Sequence, residues 1–197
     1  ETGELTSLAM NRAFETLKRF KDLSTSYKVE SLLIAATSAV REAPNGKHFL
    51  SEIKKEIELD VELISGAEEA RLIYLGVLSG MQFGKEPHLV LDIGGGSTEL
   101  ILADSTDARA LTSTKIGAVR LQREFINKDP LSSDNLLFLR SFIRGSMEAA
   151  IDKISKRIES NEQPVLVATS GTAMAIGALI SNKENNIQTK LQGYKIS

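Results

Sequence analysis

The stretch LVLDIGGGSTELILAD, residues 89–104, constrains this chain more than any other. Apolar strand formers lead into Asp92, three glycines and Ser97 follow, and Thr98-Glu99-Leu100-Ile101-Leu102 resumes with period-2 alternation. Two strand-like runs joined by so short a turn predict a β-hairpin. A dinucleotide-binding turn would instead carry its glycines into a helix whose first amides receive a pyrophosphate. The spacing also fits neither G-x-G-x-x-G nor the Walker pattern. A bare hairpin needs one or two glycines for positive φ, so three glycines plus Ser97 exceed that need. Backbone N–H groups left uncovered by side chains form a nest for phosphate oxygens, with Gly94, Gly95, Gly96 and Ser97 as its candidates. Asp92, at the strand's end, can hold a cation or its water shell, or simply bond the turn. Glu99 is a second acid. Mg²⁺ suits such an all-oxygen setting.

Composition limits the partners. The 197 residues are 42% hydrophobic and 25% charged, enough for one large domain or two small ones. A net charge of -2 provides no general basic field for nucleic acid or an anionic membrane, so neither is expected as a partner. The chain has no cysteine, which excludes disulfides and thiolate metal sites and agrees with a cytoplasmic setting. His48 and His88 are its two histidines, too few for a His-rich zinc site.

Along the chain, residues 5–23 predict an amphipathic helix and residues 29–40 a strand with a buried apolar core at 32–36. The turn signal Ala43-Pro44-Asn45-Gly46 precedes a helix over 46–57 and a short strand over 61–65. Residues 66–81 open a third helix with Glu68 and Glu69, acids that the positive end of a helix favours. Gly84-Lys85-Glu86-Pro87 predicts a domain boundary, giving domains 1–85 and 86–197. The hairpin follows, then a strand over 108–116, a short helix from Gly117, the Asp129-Pro130 loop and a long helix over 136–159. A buried strand in PVLVATSGT leads to the small-residue turn Ser170-Gly171-Thr172 and a last helix. Strands alternating with helices predict an α/β fold.

DIGGGSTEL (92–100), ATSAVREAPNG (36–46), ISGAEEARLIYLGV (64–77), KIGAVRL (115–121) and ATSGT (168–172) stand in the order and spacing of one family. On these motifs the chain resembles the exopolyphosphatase and guanosine pentaphosphate phosphohydrolase family, of the actin, sugar kinase and Hsp70 superfamily, through nearly its whole length. The resemblance implies two ribonuclease-H-like α/β domains, as in actin-like ATPases, facing across a cleft. It implies a bacterial, cytoplasmic enzyme, homodimeric when intact. Such an enzyme releases terminal phosphate from inorganic polyphosphate or guanosine pentaphosphate with Mg²⁺ or another divalent cation. The family's catalytic base falls on Glu69, with Glu68 as the neighbour one register away. Gly94, Gly95, Gly96, Ser97, Arg41, Ser170, Gly171 and Thr172 become phosphate-binding candidates, and Asp92 and Glu99 metal ligands.

The residues suit that chemistry. Cleaving a phosphoanhydride needs positioning, charge neutralisation and an oriented water more than covalent help. Glu69 can accept a proton from that water, although an acid so early in a helix also simply complements the dipole. Arg41 and Arg120 can grip phosphate or lie solvated, and Gly117 can allow close backbone approach.

The family's first phosphate loop, of the type DIGSNS, has no counterpart here, and the chain stops soon after ATSGT. Both domains are therefore expected to be incomplete and the piece alone weakly active or inactive. An ATP-using kinase-like relative would lack SGAEEAR. A non-catalytic phosphate-binding fragment would release no phosphate.

Overall fold

The structure is a computed structural model that describes residues 3–126, 130–183 and 191–195. It divides into two compact units, Glu1–Ser65 and Gly66–Ser197, each mixing helix and strand.

The first unit contains α1 (Ser7–Ser26), β1 (Ala35–Ala36), α2 (Ser38–Glu42), α3 (Gly46–Ile57) and β2 (Glu62–Leu63). Thr6 starts α1 by accepting a hydrogen bond from the Ala9 amide at 3.2 Å, satisfying one of the helix's open donors. Along α3, Phe49, Ile53 and Ile57 recur every fourth residue and are buried with Leu59. Phe14 of α1 meets Phe49 edge to face at 5.4 Å. The strand expected over 29–40 shrinks to two residues. β2 offers only Glu62 and Leu63 as parallel partners, and the chain turns into α2 at Thr37, so Leu32 and Leu33 remain exposed. Asn45 and Gly46 are fixed by structure. The Asn45 amide clips the Leu5 backbone at both its N–H and its carbonyl, at 2.9 and 3.0 Å. A side chain at Gly46 would drive into the Val40 carbonyl.

The second unit contains α4 (Gly66–Gly80), β3 (His88–Ile93), β4 (Thr98–Ala103), β5 (Ala108–Thr114), α5 (Ala118–Phe125), α6 (Ser133–Ser155), β6 (Val165–Thr169) and α7 (Ser170–Lys183). Its sheet runs β5-β4-β3-β6. The hairpin partners β3 and β4 are antiparallel, as are β4 and β5, whereas β6 is parallel to β3. This mixed sheet agrees with the ribonuclease-H-like α/β expectation. Every residue of β4 is buried because both its faces are covered. Ile101 and Ala103 pack with Val90, Ala70 and Tyr74 on the α4 side, whereas Leu100 and Leu102 pack with Ala110 and Ile154 on the α6 side. Tyr74 closes the α4 side by donating to the Asp104 carbonyl at 3.1 Å.

Two further expectations change. The units part at Ser65/Gly66, not at 85/86, because α4 buries Ala70 and Tyr74 against β4 and β5 and so belongs with the sheet that follows it. β6 is not a buried strand. It pairs with β3 alone among the described residues, and Val165 and Leu166 are 53% and 61% exposed. Asp129 of the expected Asp129-Pro130 loop, and most of the polar tail, lie outside the described residues.

Candidate functional site

One row of side chains crosses the second unit's sheet on its α4 face. The register pairs Ser113 with Glu99, Glu99 with Asp92, and Asp92 with Thr169, so four strands in succession contribute one residue each. Glu99 is 1% exposed and Asp92 partly buried. The Ser113 hydroxyl donates to Glu99 Oε1 at 2.7 Å.

Glu69, in the first turn of α4, is the third acid of this group. Burial is the main cause holding the Asp92 carboxyl above its ordinary range; the Ser170 hydroxyl opposes it, and the Glu69 charge adds to it. Burial likewise raises Glu99, against hydrogen bonds from Ser113 and Ser97, and the charges of Glu69 and Asp92 push it the same way. Glu68 is turned to another task. Arg71, one helical turn on, grips both its carboxylate oxygens at 2.7 and 2.8 Å and lowers its pKa. The two adjacent acids are thereby separated, with Glu69 as the one that acts on the buried pair.

The glycine turn closes the same hairpin. Gly94 donates to the Ser97 carbonyl at 3.0 Å, Ser97 is buried, and Thr98 Oγ1 donates to the Ile116 carbonyl at 2.7 Å. Neither Gly94 nor Gly95 has positive φ. Space is tight at Gly94, where a Cβ would stand 3.2 Å from the Ser97 carbonyl oxygen, whereas one at Gly95 would meet Val119 at an ordinary 3.4 Å. The carbonyls of the turn face α5, whose first amides bond Gly94 and Gly95, while Arg120 Nε bonds Gly96 O at 3.1 Å.

β6 passes directly into α7 at Ser170, whose φ of 72° is a left-handed conformation rarely taken by residues other than glycine. The Ser170 hydroxyl lies between the Ile93 carbonyl, at 3.0 Å, and the Asp92 carboxylate, and its one hydrogen can serve either. Thr172 Oγ1 also donates to the Ile93 carbonyl, at 2.8 Å, while Gly171 is exposed. The second unit therefore brings together Glu69, Asp92, Glu99, Gly94 to Ser97, and Ser170 to Thr172. Arg41 belongs to the first unit, where its Nη1 donates to the Ile64 carbonyl at 2.9 Å.

Among the described residues, no group of three or more His, Cys, Asp or Glu side chains forms a ready-made metal cage. The Asp92–Glu99 pair offers carboxylate oxygens whose mutual repulsion a cation would relieve. This fits a hard ion completed by water and phosphate oxygens. No described helix is long and apolar enough to cross a membrane.

Ser113 and the α5 amides escaped sequence reasoning. A strict residue count from the β4–β5 turn would have put Thr112 opposite Glu99; the register irregularity at Leu102/Ala103 brings Ser113 there instead. No local motif marks the α5 amides as partners of the turn.

A model of the Ppx/GppA phosphatase family matches residues 1–197. The guanosine-5'-triphosphate,3'-diphosphate pyrophosphatase of Photobacterium profundum is 35% identical over 177 residues, 88% of this chain and 34% of that protein. Exopolyphosphatase 1 of Mycobacterium leprae is 30% identical over 178 residues, 90% of this chain and 52% of that protein. The chain thus spans between a third and about half of these relatives. Among solved structures, an exopolyphosphatase from Cytophaga hutchinsonii superposes with a TM-score of 0.86 at 30% identity, covering 95% of this chain and 59% of that one. The Aquifex aeolicus member of the Ppx/GppA family gives a TM-score of 0.71 at 30% identity, over 92% and 56%.

Proposed function

The chain belongs to the Ppx/GppA phosphatase family, and on that premise we propose that it forms part of a bacterial, cytoplasmic phosphohydrolase. This enzyme releases the terminal phosphate of inorganic polyphosphate or guanosine pentaphosphate. One observation carries the reading: Asp92 and Glu99 face each other across the β3–β4 ladder, flanking a hairpin turn of three glycines, in one compact unit with Glu69.

In this reading Glu69 orients the attacking water and accepts its proton. The turn amides, with Ser97, receive the oxygens of the leaving phosphate chain. Ser170 keeps Asp92 in place from the start of α7, and Gly171 and Thr172 bring that helix's positive end near the anion. Asp92 and Glu99 would hold Mg²⁺, which when bound neutralises phosphate oxygens. The reaction breaks the terminal P–O–P bond: water's oxygen joins the outer phosphorus, and the bridging oxygen leaves with the shortened chain. The intact enzyme acts as a homodimer.

The test is phosphate release from long-chain polyphosphate and from guanosine pentaphosphate, with and without Mg²⁺, by the full-length protein and its Glu69→Gln variant. Metal-dependent release that the variant loses supports the reading. No release from either substrate overturns it.

A further inference from the structure

All three glycine carbonyls of the turn are engaged by one helix. The Ala118 amide donates to Gly94 O at 2.9 Å, the Val119 and Arg120 amides both donate to Gly95 O at 3.0 Å, and Arg120 Nε donates to Gly96 O at 3.1 Å. In a trans peptide, the carbonyl of one residue and the N–H of the next point in opposite directions. Turning the carbonyls of Gly94, Gly95 and Gly96 toward α5 therefore turns the N–H groups of Gly95, Gly96 and Ser97 away from it. The Gly94 N–H is excluded from that set, because it closes the turn on Ser97 O at 3.0 Å.

Gly117, the N-cap of α5, makes this arrangement possible. It lies flat on the Gly95–Gly96 peptide: a Cβ at Gly117 would stand 2.5 Å from Gly95 C, Gly95 O and Gly96 N alike. Any side chain there would push the turn off the helix. The first amides of a helix commonly bind anions directly. Those of α5 are filled by carbonyls of the turn, so the helix acts on a ligand only through the turn.

We propose that α5 is a clamp setting the phosphate cradle, with Gly117 and Arg120 as positioning residues that aim the amides of Gly95, Gly96 and Ser97 at an anionic phosphate group. The proposal rests on reading the turn as a phosphate site. It assigns Arg120 to the back of the cradle, as a brace on Gly96 O.

The test measures calorimetric binding of inorganic tripolyphosphate to the full-length protein in EDTA, which separates binding from turnover. Amide NMR shifts are followed in the same titration. Gly117→Ala should weaken binding at least tenfold, and Arg120→Gln about tenfold, the scale of losing a charge-assisted hydrogen bond. In turnover assays both should raise KM more than they lower kcat. Arg123→Ala, exposed on the same helix, should change neither. The amides of Gly95, Gly96 and Ser97 should shift on titration, and that of Gly94 should not. A folded Gly117→Ala protein with unchanged affinity, or shifts confined to Gly94, would overturn the clamp; if Gly117→Ala does not fold, Arg120→Gln decides alone. Tripolyphosphate binding that depends on Gly117 and Arg120, in a protein releasing no phosphate from any substrate, defeats the hydrolase reading and leaves the clamp standing. A wild-type protein that binds no tripolyphosphate defeats the clamp.

Discussion

Asp92 and Glu99 sit directly opposite each other across the β3–β4 ladder, two carboxylates on one face of a sheet. Like charges in that position destabilise a strand pair, and here burial and Glu69 add to the repulsion. A hairpin built for stability alone would not place them so. The pairing makes sense where a cation or a proton shares the site.

That cost has a sign. Both acids have folded pKa values raised above their ordinary 3.8 and 4.5. Between the ordinary and the raised values the folded state holds more protons than the unfolded one, so stability falls as pH rises through that window. Without metal, Asp92→Asn should therefore melt above the wild type at neutral pH, by a few degrees, with the gap closing as pH falls toward 4. Added Mg²⁺ should raise the wild-type melting temperature more than the variant's. Thermal melts read both effects, and a variant less stable at neutral pH without metal would contradict the account.

Glu69→Gln should lower kcat by about 10²–10⁴-fold, the usual contribution of a positioned base, with KM changing far less. Glu68→Gln loosens the grip on Arg71, and its activity should stay within a few-fold of wild type. Steady-state kinetics on the full-length protein decide between the neighbours. The opposite pattern would move the base by one residue.

In the β4–β5 turn, at the other end of the strands, Asp104 accepts bonds from the Thr106 hydroxyl at 2.6 Å, the Thr106 amide at 2.8 Å and the Asp107 amide at 3.1 Å, and Arg109 joins it to Glu162. These donors, Thr106 foremost, hold the Asp104 carboxyl well below its ordinary range. Its contribution is present above about pH 4 and fades as pH falls further. Asp104→Asn should cost about 1–3 kcal/mol at neutral pH, and the difference should shrink in acid. Urea titrations at several pH values measure it. A constant difference would mean that charge plays no part.

In the first unit, Gly46→Ala should destabilise by about 1–3 kcal/mol, because the new methyl meets the Val40 carbonyl. Asn45→Ala should cost about 1–2 kcal/mol by releasing the Leu5 backbone from its two hydrogen bonds. Equilibrium unfolding followed by circular dichroism tests both, and a neutral Gly46→Ala would show that the turn can shift.

Much of this was legible in the sequence for identifiable reasons. The hairpin carries its own turn, and α3 carries its own periodicity, so both appeared at or near the predicted bounds. Strand length depends on partners, which no local pattern reveals, and so β1 shrank to the length that β2 could match. The affiliation of α4 was misplaced because Gly84 to Pro87 breaks the helix without ending the packing of Ala70 and Tyr74. At the site, residue type and position singled out Asp92 and Glu99, and the family resemblance singled out Glu69. Which of Glu68 and Glu69 acts on the buried pair depended on where Arg71 lies, one turn along the helix. Most of the support behind the turn was invisible because, the Arg120 guanidinium apart, it consists of main-chain amides.

A cradle made of peptide N–H groups has no sequence of its own to vary. It meets an oxygen's charge and cannot tell what hangs behind the phosphorus, be it another phosphate or a nucleoside. On the function proposed above, such a hairpin would serve polyphosphate and guanosine pentaphosphate alike. Evolution is then free to alter appetite by editing side chains elsewhere.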